Sequence, residues 1–344
     1  MAKKKLTCLD LFCGAGGLSL GFKLAGFEIV GGVEWDKAAF ETHKLNFPSG
    51  KEFCGDIREI TDAQILENFQ GVDVIVGGPP CQGFSSANRH DKEEDDPRNK
   101  LFFEYLRFIR QLNPKAFLIE NVKEILTKNK GYAKDRILEL TQEMGYTVTV
   151  KILQSSDYGV PQRRRRAVFV GIRNDLEKVF DFENLKTVEK EVTVSDALQD
   201  IMFPEEYTMN EFLSYAKDAE VLENHVPKFP CEKVQRRMSF VPQGGNWKDV
   251  PPELWDTQRD NRHSSAYRRL KMDEPSITID TGHMNYFHPL EHRTPTVRES
   301  ARLQSFPDSF IFAGTQGAQL RQVGNAVPPL MAKALATEIK ALIQ

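Results

Sequence analysis

The sequence predicts an α/β protein: a doubly wound, mostly parallel sheet with a second, smaller domain. Three observations predict it. Short Val/Ile-rich runs alternate with amphipathic stretches through the first half, a rhythm that builds a parallel sheet covered by helices on both faces. Glycine- or proline-rich turns fall where those runs end, which is where such sheets bind ligands. The charge then changes character: residues 174–225 hold 4 Lys+Arg against 14 Asp+Glu, and residues 226–272 hold 10 against 5, within a chain whose net charge is only -3. The net charge argues against a protein that coats nucleic acid all over. A basic face turned to a polyanion beside an acidic, solvated segment is expected, although two solvated faces of one domain would give the same count.

Taken in order, KLTCLDLF reads as the first strand, and GGLSLGFKLAG as a helix with Leu18, Phe22 and Ala25 on one side. EIVGGVEW is the next strand, and DKAAFETHKLNF the next helix, with Asp36 placed to cap it. VDVIVGG is a strand, NKLFFEYLRFIRQL a helix, KAFLIEN a strand, the Tyr132–Gly145 region a helix, and AVFVGIR a strand. The last stretch predicts an amphipathic helix with Leu330, Met331, Ala334, Leu335, Ile339 and Leu342 along one stripe. With 344 residues, one large domain and a smaller one are expected. The boundaries expected are 1–185 with 320–344 for the larger domain, 186–285 for the smaller one, and 286–319 as a hinge and structural segment.

The lysines of MAKKKLTCLDLF begin like a signal peptide, but Asp10 and Cys13-Gly14 interrupt the apolar run. No run approaches the roughly 20 apolar residues of a membrane span. Five scattered cysteines, without paired metal-ligand spacing, read as reduced thiols in a cytoplasm. No metal cluster is expected, and no repeat or low-complexity tract is visible.

At the first strand end stands Asp10-Leu-Phe-Cys-Gly14-Ala-Gly16-Gly17, whose glycines allow a tight turn and close approach of a ligand. Ser19 replaces the third glycine of G-x-G-x-x-G, so the loop alone is weak support for a dinucleotide site. Glu34 is placed to bind ribose hydroxyls, Trp35 offers a flat surface to an adenine, and Asp56 in CGDI offers an acceptor to an exocyclic amine. The competing reading makes Trp35 core and Asp56 a helix cap.

The stretch VDVIVGGPPCQGFSS places Cys81 beyond the strand rather than within it. Pro79 and Pro80 fix two φ angles and hold the cysteine in place, which matters for a group that must attack one atom. A loop ahead of a helix also helps to stabilise a thiolate. Without further context an inert buried cysteine is the simpler reading, and the other blocks decide.

PPCQGFS together with DLFCGAGG resembles the DNA (cytosine-5) methyltransferases, and the remaining blocks of that family follow in order: EW at 34–35, GDI at 55–57, ENV at 120–122 and QRRRR at 162–166. RESARLQSFPDSF at 298–310 and QVGNAVPPLMAKAL at 322–335 complete the set. The resemblance runs from about residue 6 to the end, apart from roughly 174–285, and its closing half is similar to enzymes of bacterial restriction–modification systems. It implies a class I, Rossmann-like fold that uses S-adenosyl-L-methionine, with a target-recognition domain in the variable segment.

The resemblance assigns the nucleophile to Cys81 and places Glu120 as the carboxyl that neutralises the charge generated at ring nitrogen 3. Such a carboxyl must be tuned by its site. In the pattern QxRxR, alternation on an extended segment points Gln162, Arg164 and Arg166 to one face. Arg166 would hold the cytosine carbonyl oxygen and Arg164 would order the site, while Arg163 and Arg165 face solvent or the DNA backbone. Cofactor contacts implied by motif are Phe12, Gly14, Gly16, Gly17, Glu34, Trp35, Asp56, Ile57, Pro80, Leu101 and Asn325. The chain would return to the first domain at Asn325-Ala326-Val327. A base inside a duplex must be flipped out to reach such a site, and Ser85–Arg98 matches the mobile loop that closes over it, its DKEEDD run turned away from phosphates. Arginines, glutamines and asparagines of QRRMSFVPQGGNWK, NRHSSAYRRLK and TGHMNYFHPLEHR suit base edges and phosphates, without showing which of them read bases. Arg298, Glu299 and RLQSFP look like a structural organiser.

Double-stranded DNA is thus the expected partner, met by a monomer in a bacterial cytoplasm, associated with the nucleoid through DNA, and paired with a restriction endonuclease. Two alternatives differ. A tRNA cytosine-5 methyltransferase would carry a Cys-Phe-Thr signature, whereas Cys231 is followed by Glu232 and Lys233. A silent DNA-binding relative would lack part of Cys81, Glu120 and Arg166, all of which are present. An NAD-dependent dehydrogenase leaves PPCQ and ENV unexplained.

Overall fold

The apolar runs become strands β1 (Thr7–Leu11), β2 (Glu28–Glu34), β3 (Lys51–Cys54), β4 (Val74–Gly77), β5 (Ala116–Val122), β6 (Tyr146–Gln154) and β7 (Arg165–Arg173). This computed structural model describes residues 5–80, 100–202, 222–256, 267–281 and 286–344, without the side chains of 128–129. The strands form one sheet in the order β3-β2-β1-β4-β5-β7-β6. Its first five strands are parallel, and β7 runs antiparallel to both neighbours. Only a short turn at Ser155–Tyr158 and six further residues join β6 to β7. That is too little chain for the crossover a parallel pair requires.

Helices α1 (Gly17–Leu24), α2 (Lys37–Asn46), α3 (Asp62–Phe69), α4 (Lys100–Leu112) and α5 (Tyr132–Glu143) make the connections. Asp36 caps α2 by accepting from the Ala39 amide at 2.9 Å. A capping box of Thr61 and Gln64 starts α3, an element for which the apolar pattern alone gives little signal. Helix α4 buries Phe102, Tyr105, Leu106, Ile109 and Leu112, the i, i+3, i+4 spacing of a core-facing stripe. The Tyr105 hydroxyl donates to the carbonyls of Leu118 at 2.8 Å and Ile75 at 3.1 Å, so the one polar atom of that face is satisfied.

From β1 the chain moves outward to β2 and β3, then returns to the other side of β1 as β4. The strand order therefore reverses between β1 and β4, the point at which open α/β sheets bind ligands beyond their carboxyl ends. The glycine loop leaves one of those two strands, and Gly78-Pro79-Pro80 leaves the other.

By contact density the chain divides into two units: Met1–Tyr158 with Arg165–Thr187 and Ala326–Gln344, and Gly159–Arg164 with Val188–Asn325. The first contains the sheet and the final helix, Pro329–Ile343. That helix buries Met331, Ala332, Leu335, Ala336, Ile339 and Ile343, whereas Leu330, Ala334 and Leu342 are only half-buried. The expected stripe is corrected accordingly. Small side chains are selected because α1 approaches closely: a methyl group on Gly21 would lie 2.3 Å from Ala332 Cβ.

The second unit carries α6 (Val194–Leu198), α7 (Glu232–Ser239), β8 (Arg268–Arg269), β9 (Tyr286–Phe287), α8 (Val297–Leu303) and α9 (Gln316–Asn325). Met238, Val241, Val250 and Phe287 form a small core there. Glu299, fully buried, closes the capping box of α8 with Thr296 and accepts from both terminal nitrogens of Arg293, at 2.7 and 2.8 Å. Arg298, equally buried, donates to the carbonyls of Glu223, Pro307 and Phe310.

Candidate active site

Two carboxylates fix the glycine loop after β1 from opposite sides. Glu34 Oε2 accepts from the Gly14 amide and its Oε1 from the Asp36 amide, both at 2.8 Å. Behind the loop, Asp10 Oδ2 accepts from the Ser19 amide at 3.1 Å and from its hydroxyl at 2.7 Å. The chain of contacts continues inward: Ser19 Oγ lies 2.8 Å from His43 Nε2, and His43 Nδ1 lies 3.0 Å from Glu52. Burial pushes the Asp10 carboxyl up to about 6, against the pull of His43 and the Ser19 hydrogen bonds. Residue-by-residue sequence reading missed this network. The only signal was a polar residue, Asp10, inside an apolar strand.

The loop backbone is held where side chains fit poorly. Phe12, Gly14 and Gly16 have positive φ, and a methyl group on Gly17 would lie 2.1 Å from the Val327 carbonyl oxygen. Beyond Gly14, by contrast, a methyl group would meet nothing within 4 Å, which leaves open space on the ligand side. Trp35 is 71% exposed, so it is not core. Asp56 caps a turn beginning at Ile57 by accepting from the Arg58 amide at 3.0 Å, and the Arg58 guanidinium also grips its carboxylate. The hydrogen bonds from Arg58 hold Asp56 below its usual range, so it stays an ionised acceptor at neutral pH. Ile57 is buried, Leu101 packs half-buried against the sheet core, and Pro80 is exposed.

An exposed indole next to a carboxylate, with open space at a glycine turn, suits a nucleoside-containing cofactor. Glu34 retains acceptor capacity on both oxygens after its two amide contacts.

At the exit of β4 a second group assembles. Glu120 ends β5 with its carboxylate 2.9 Å from Arg166 Nε of β7. A methyl group on Gly78 would lie 3.4 Å from Glu120 Oε2. Asn121 Nδ2 donates to the Pro79 carbonyl at 2.9 Å. The Glu120 and Asn121 side chains of the ENV block therefore meet the strand exit that leads to Cys81. Cys81 itself and the loop expected at Ser85–Arg98 lie outside the described residues. Cys8 and Cys13 are buried, and burial pushes both thiols well up, which leaves little thiolate at neutral pH.

Along 162–166, burial alternates: Gln162 and Arg164 are buried, Arg163 and Arg165 are exposed, and Arg166 is half-buried. Within the second unit, Gln162 donates to the Gln304 side chain at 2.9 Å and accepts from the Ile279 amide at 2.9 Å. Arg164 donates to the Gly324 carbonyl at 2.9 Å. Asn325, exposed, ends α9 in the same unit. Among the described residues no group of three or more His, Cys, Asp or Glu side chains is placed to hold a metal ion. No described helix is long and apolar enough to cross a membrane.

Comparison with known proteins places this geometry in a family. A model of the C-5 cytosine-specific DNA methylases matches residues 6–341. The type II methyltransferase M1.HphI of Haemophilus parahaemolyticus is 40% identical over 337 residues, covering 97% of this chain and 86% of that one. M.DdeI of Desulfomicrobium norvegicum is 34% identical over 368 residues, with 97% and 88% covered. Among solved structures, a chain described as a DNA modification methyltransferase encoded within an E. coli prophage superposes with a TM-score of 0.78 at 28% identity, covering 98% of this chain and 99% of that one. The chain belongs to the C-5 cytosine-specific DNA methylase family.

Proposed function

We propose that the protein transfers a methyl group to carbon 5 of a cytosine in a specific double-stranded DNA sequence, using a covalent Cys81 adduct on a flipped base. The observation that carries this reading is the convergence of Glu120 and Asn121 on the β4 exit, one paired with Arg166 and the other tied to Pro79.

Bound at the glycine loop, S-adenosylmethionine supplies an electrophilic methyl group. The residues that hold it are Phe12, Gly14, Gly16, Gly17, Glu34, Trp35, Asp56, Ile57, Pro80, Leu101 and Asn325. Glu34 would take the ribose hydroxyls, Trp35 would pack on the adenine and Asp56 would accept from its amine. The Cys81 thiolate bonds to carbon 6, and the ring electron pair moves toward carbon 5 and nitrogen 3. Glu120 in its protonated form donates its O–H to nitrogen 3 and neutralises the charge that develops there, while Arg166 holds the other carboxyl oxygen and the cytosine carbonyl oxygen. Carbon 5 would then take the methyl as its bond to the sulfonium sulfur breaks and the cofactor leaves as the neutral thioether; loss of the carbon 5 proton to a base would restore the ring double bond and expel the thiolate. Arg164, bonded to carbonyls of its own unit, orders the QRRRR segment rather than touching the base.

Residues 186–285 serve as the target-recognition domain, with 286–319 as the hinge and structural segment. The protein acts as a cytoplasmic monomer on nucleoid DNA and protects it from a cognate endonuclease, as the type II names of its relatives suggest. Bisulfite sequencing of plasmid DNA incubated with enzyme and cofactor tests the activity: one sequence context fully converted to 5-methylcytosine is expected. DNA with 5-fluorocytosine at that position should be trapped covalently, because fluorine does not leave as a proton does. Methylation at an exocyclic nitrogen instead of carbon 5 would refute the reading.

A further inference from the structure

We infer that Arg268 reads a guanine of the target sequence, donating its forked N–H groups to O6 and N7 in the major groove. This deepens the assignment of residues 186–285 to target recognition and rests on it. Arg268 lines a cleft of about 740 Å³ within the second unit, together with Arg163, Arg269, Lys271, Glu274 and Asp280. The other three cations are committed. Arg163 pairs with Glu191 at 2.6 Å and Glu274 at 3.4 Å. Lys271 pairs with Glu274 at 2.7 Å and Asp273 at 3.3 Å. Arg269 donates to the carbonyls of Met238, Val241, His288 and Glu291 and lies over the Phe287 ring. Among the described residues Arg268 has no acidic partner.

Its backbone is fixed all the same. Arg269 is 4% exposed and bonded on all sides, its amide donates to Gly245 O at 3.2 Å, and its carbonyl accepts from the Gly244 amide at 3.1 Å. Successive residues of a strand face opposite sides, so with Arg269 anchored in the core the half-buried Arg268 takes the other face of the two-residue strand β8, held by its neighbour's hydrogen bonds, and base readout requires such support.

The cleft wall selects the ligand. Glu274 and Asp280 stand in it beside the cations, Glu274 being paired with Arg163 and Lys271. A wall that carries acceptors as well as donors suits a base-pair edge, which offers both together. An uncommitted guanidinium matches guanine by geometry, whereas lysine is a point charge without the fork.

The test uses the full-length enzyme. After replacement of Arg268→Ala, sites altered at one guanine should be methylated nearly as fast as the original, a loss of discrimination of about tenfold to a hundredfold. Arg268→Lys should not restore it, and the salt dependence of DNA binding should be unchanged. A 7-deazaguanine scan of the wild-type site should show one guanine whose N7 matters, with no further loss there in Arg268→Ala. This scan needs no variant to detect the contact, and thermal melting with cofactor binding verifies that the variants fold. Uniform weakening on all sequences with a salt slope reduced by about one marks a phosphate contact and overturns the proposal. So does an unaltered site, or a wild type indifferent to every deaza substitution. Wild-type enzyme that methylates duplexes without regard to sequence removes the target-recognition reading beneath it.

Discussion

Asn121 Nδ2 donates to the Pro79 carbonyl at 2.9 Å, joining the end of β5 to the exit of β4 two residues before Cys81. The adjacent Glu120 faces Arg166 at 2.9 Å. One dipeptide thus contributes both an ionisable group and a positional anchor. The parallel pairing of β4 and β5 makes this possible, because it sets Gly77 opposite Ile119 and brings both strands to an end on the same edge.

Asn121→Ala should therefore slow methyl transfer more than it weakens the cofactor. A displacement of about 1 Å in a reacting group costs on the order of a hundredfold, so a drop in kcat of tenfold to a hundredfold is expected, with cofactor affinity within a few-fold. Single-turnover methylation and equilibrium cofactor binding measure the two; equal losses in both would mean that the anchor is merely structural.

Cys81→Ser should abolish methyl transfer and covalent capture of 5-fluorocytosine DNA, since a serine hydroxyl is far less ionised than a thiol. Cofactor affinity should change by no more than a few-fold. Transfer surviving intact in the serine variant would show that the nucleophile lies elsewhere.

Gly17→Ala should destabilise the first unit by about 1–3 kcal/mol, the usual cost of overpacking. Its new methyl group would fall 2.1 Å from the Val327 carbonyl oxygen, and that oxygen belongs to backbone that cannot swing away. Chemical denaturation reads the change, and Gly55→Ala provides a contrast: its φ of +151° is strained, but open space surrounds it.

Asp10→Asn should flatten the pH dependence of stability between pH 4 and 6. The Asp10 carboxyl is raised to about 6 in the folded protein, so the native state holds a proton that the unfolded chain releases nearer pH 4. Stability is then lost as pH rises through that window, by up to about 3 kcal/mol for a fully buried group. Glu299 works in the opposite sense. Held down to about 2 by Arg293, against the cost of its burial, it gives stability that is present above pH 4.5 and lost as pH falls toward 2. Urea titrations at stepped pH separate the two, and an unchanged slope in Asp10→Asn would contradict the first.

Local chemistry along the chain determined most of the sheet and the shape of its turns. Continuous apolar runs such as Val74–Gly77 and Ala116–Ile119 are buried on both faces and need no partner to be recognised. Strand β3, half-exposed at the sheet edge, and β6, polar along much of its length, have weaker patterns because only some of their side chains enter the core. The antiparallel setting of β7 followed from a connection too short to cross over. Tertiary structure alone decided which groups meet. Asp10, Ser19, His43 and Glu52 come from four elements, and Ala332 rather than Leu330 faces Gly21 because α1 leaves room for a methyl group only. Periodicity records which side of an element is apolar, but not how closely its neighbour approaches or which distant polar atom satisfies a buried one.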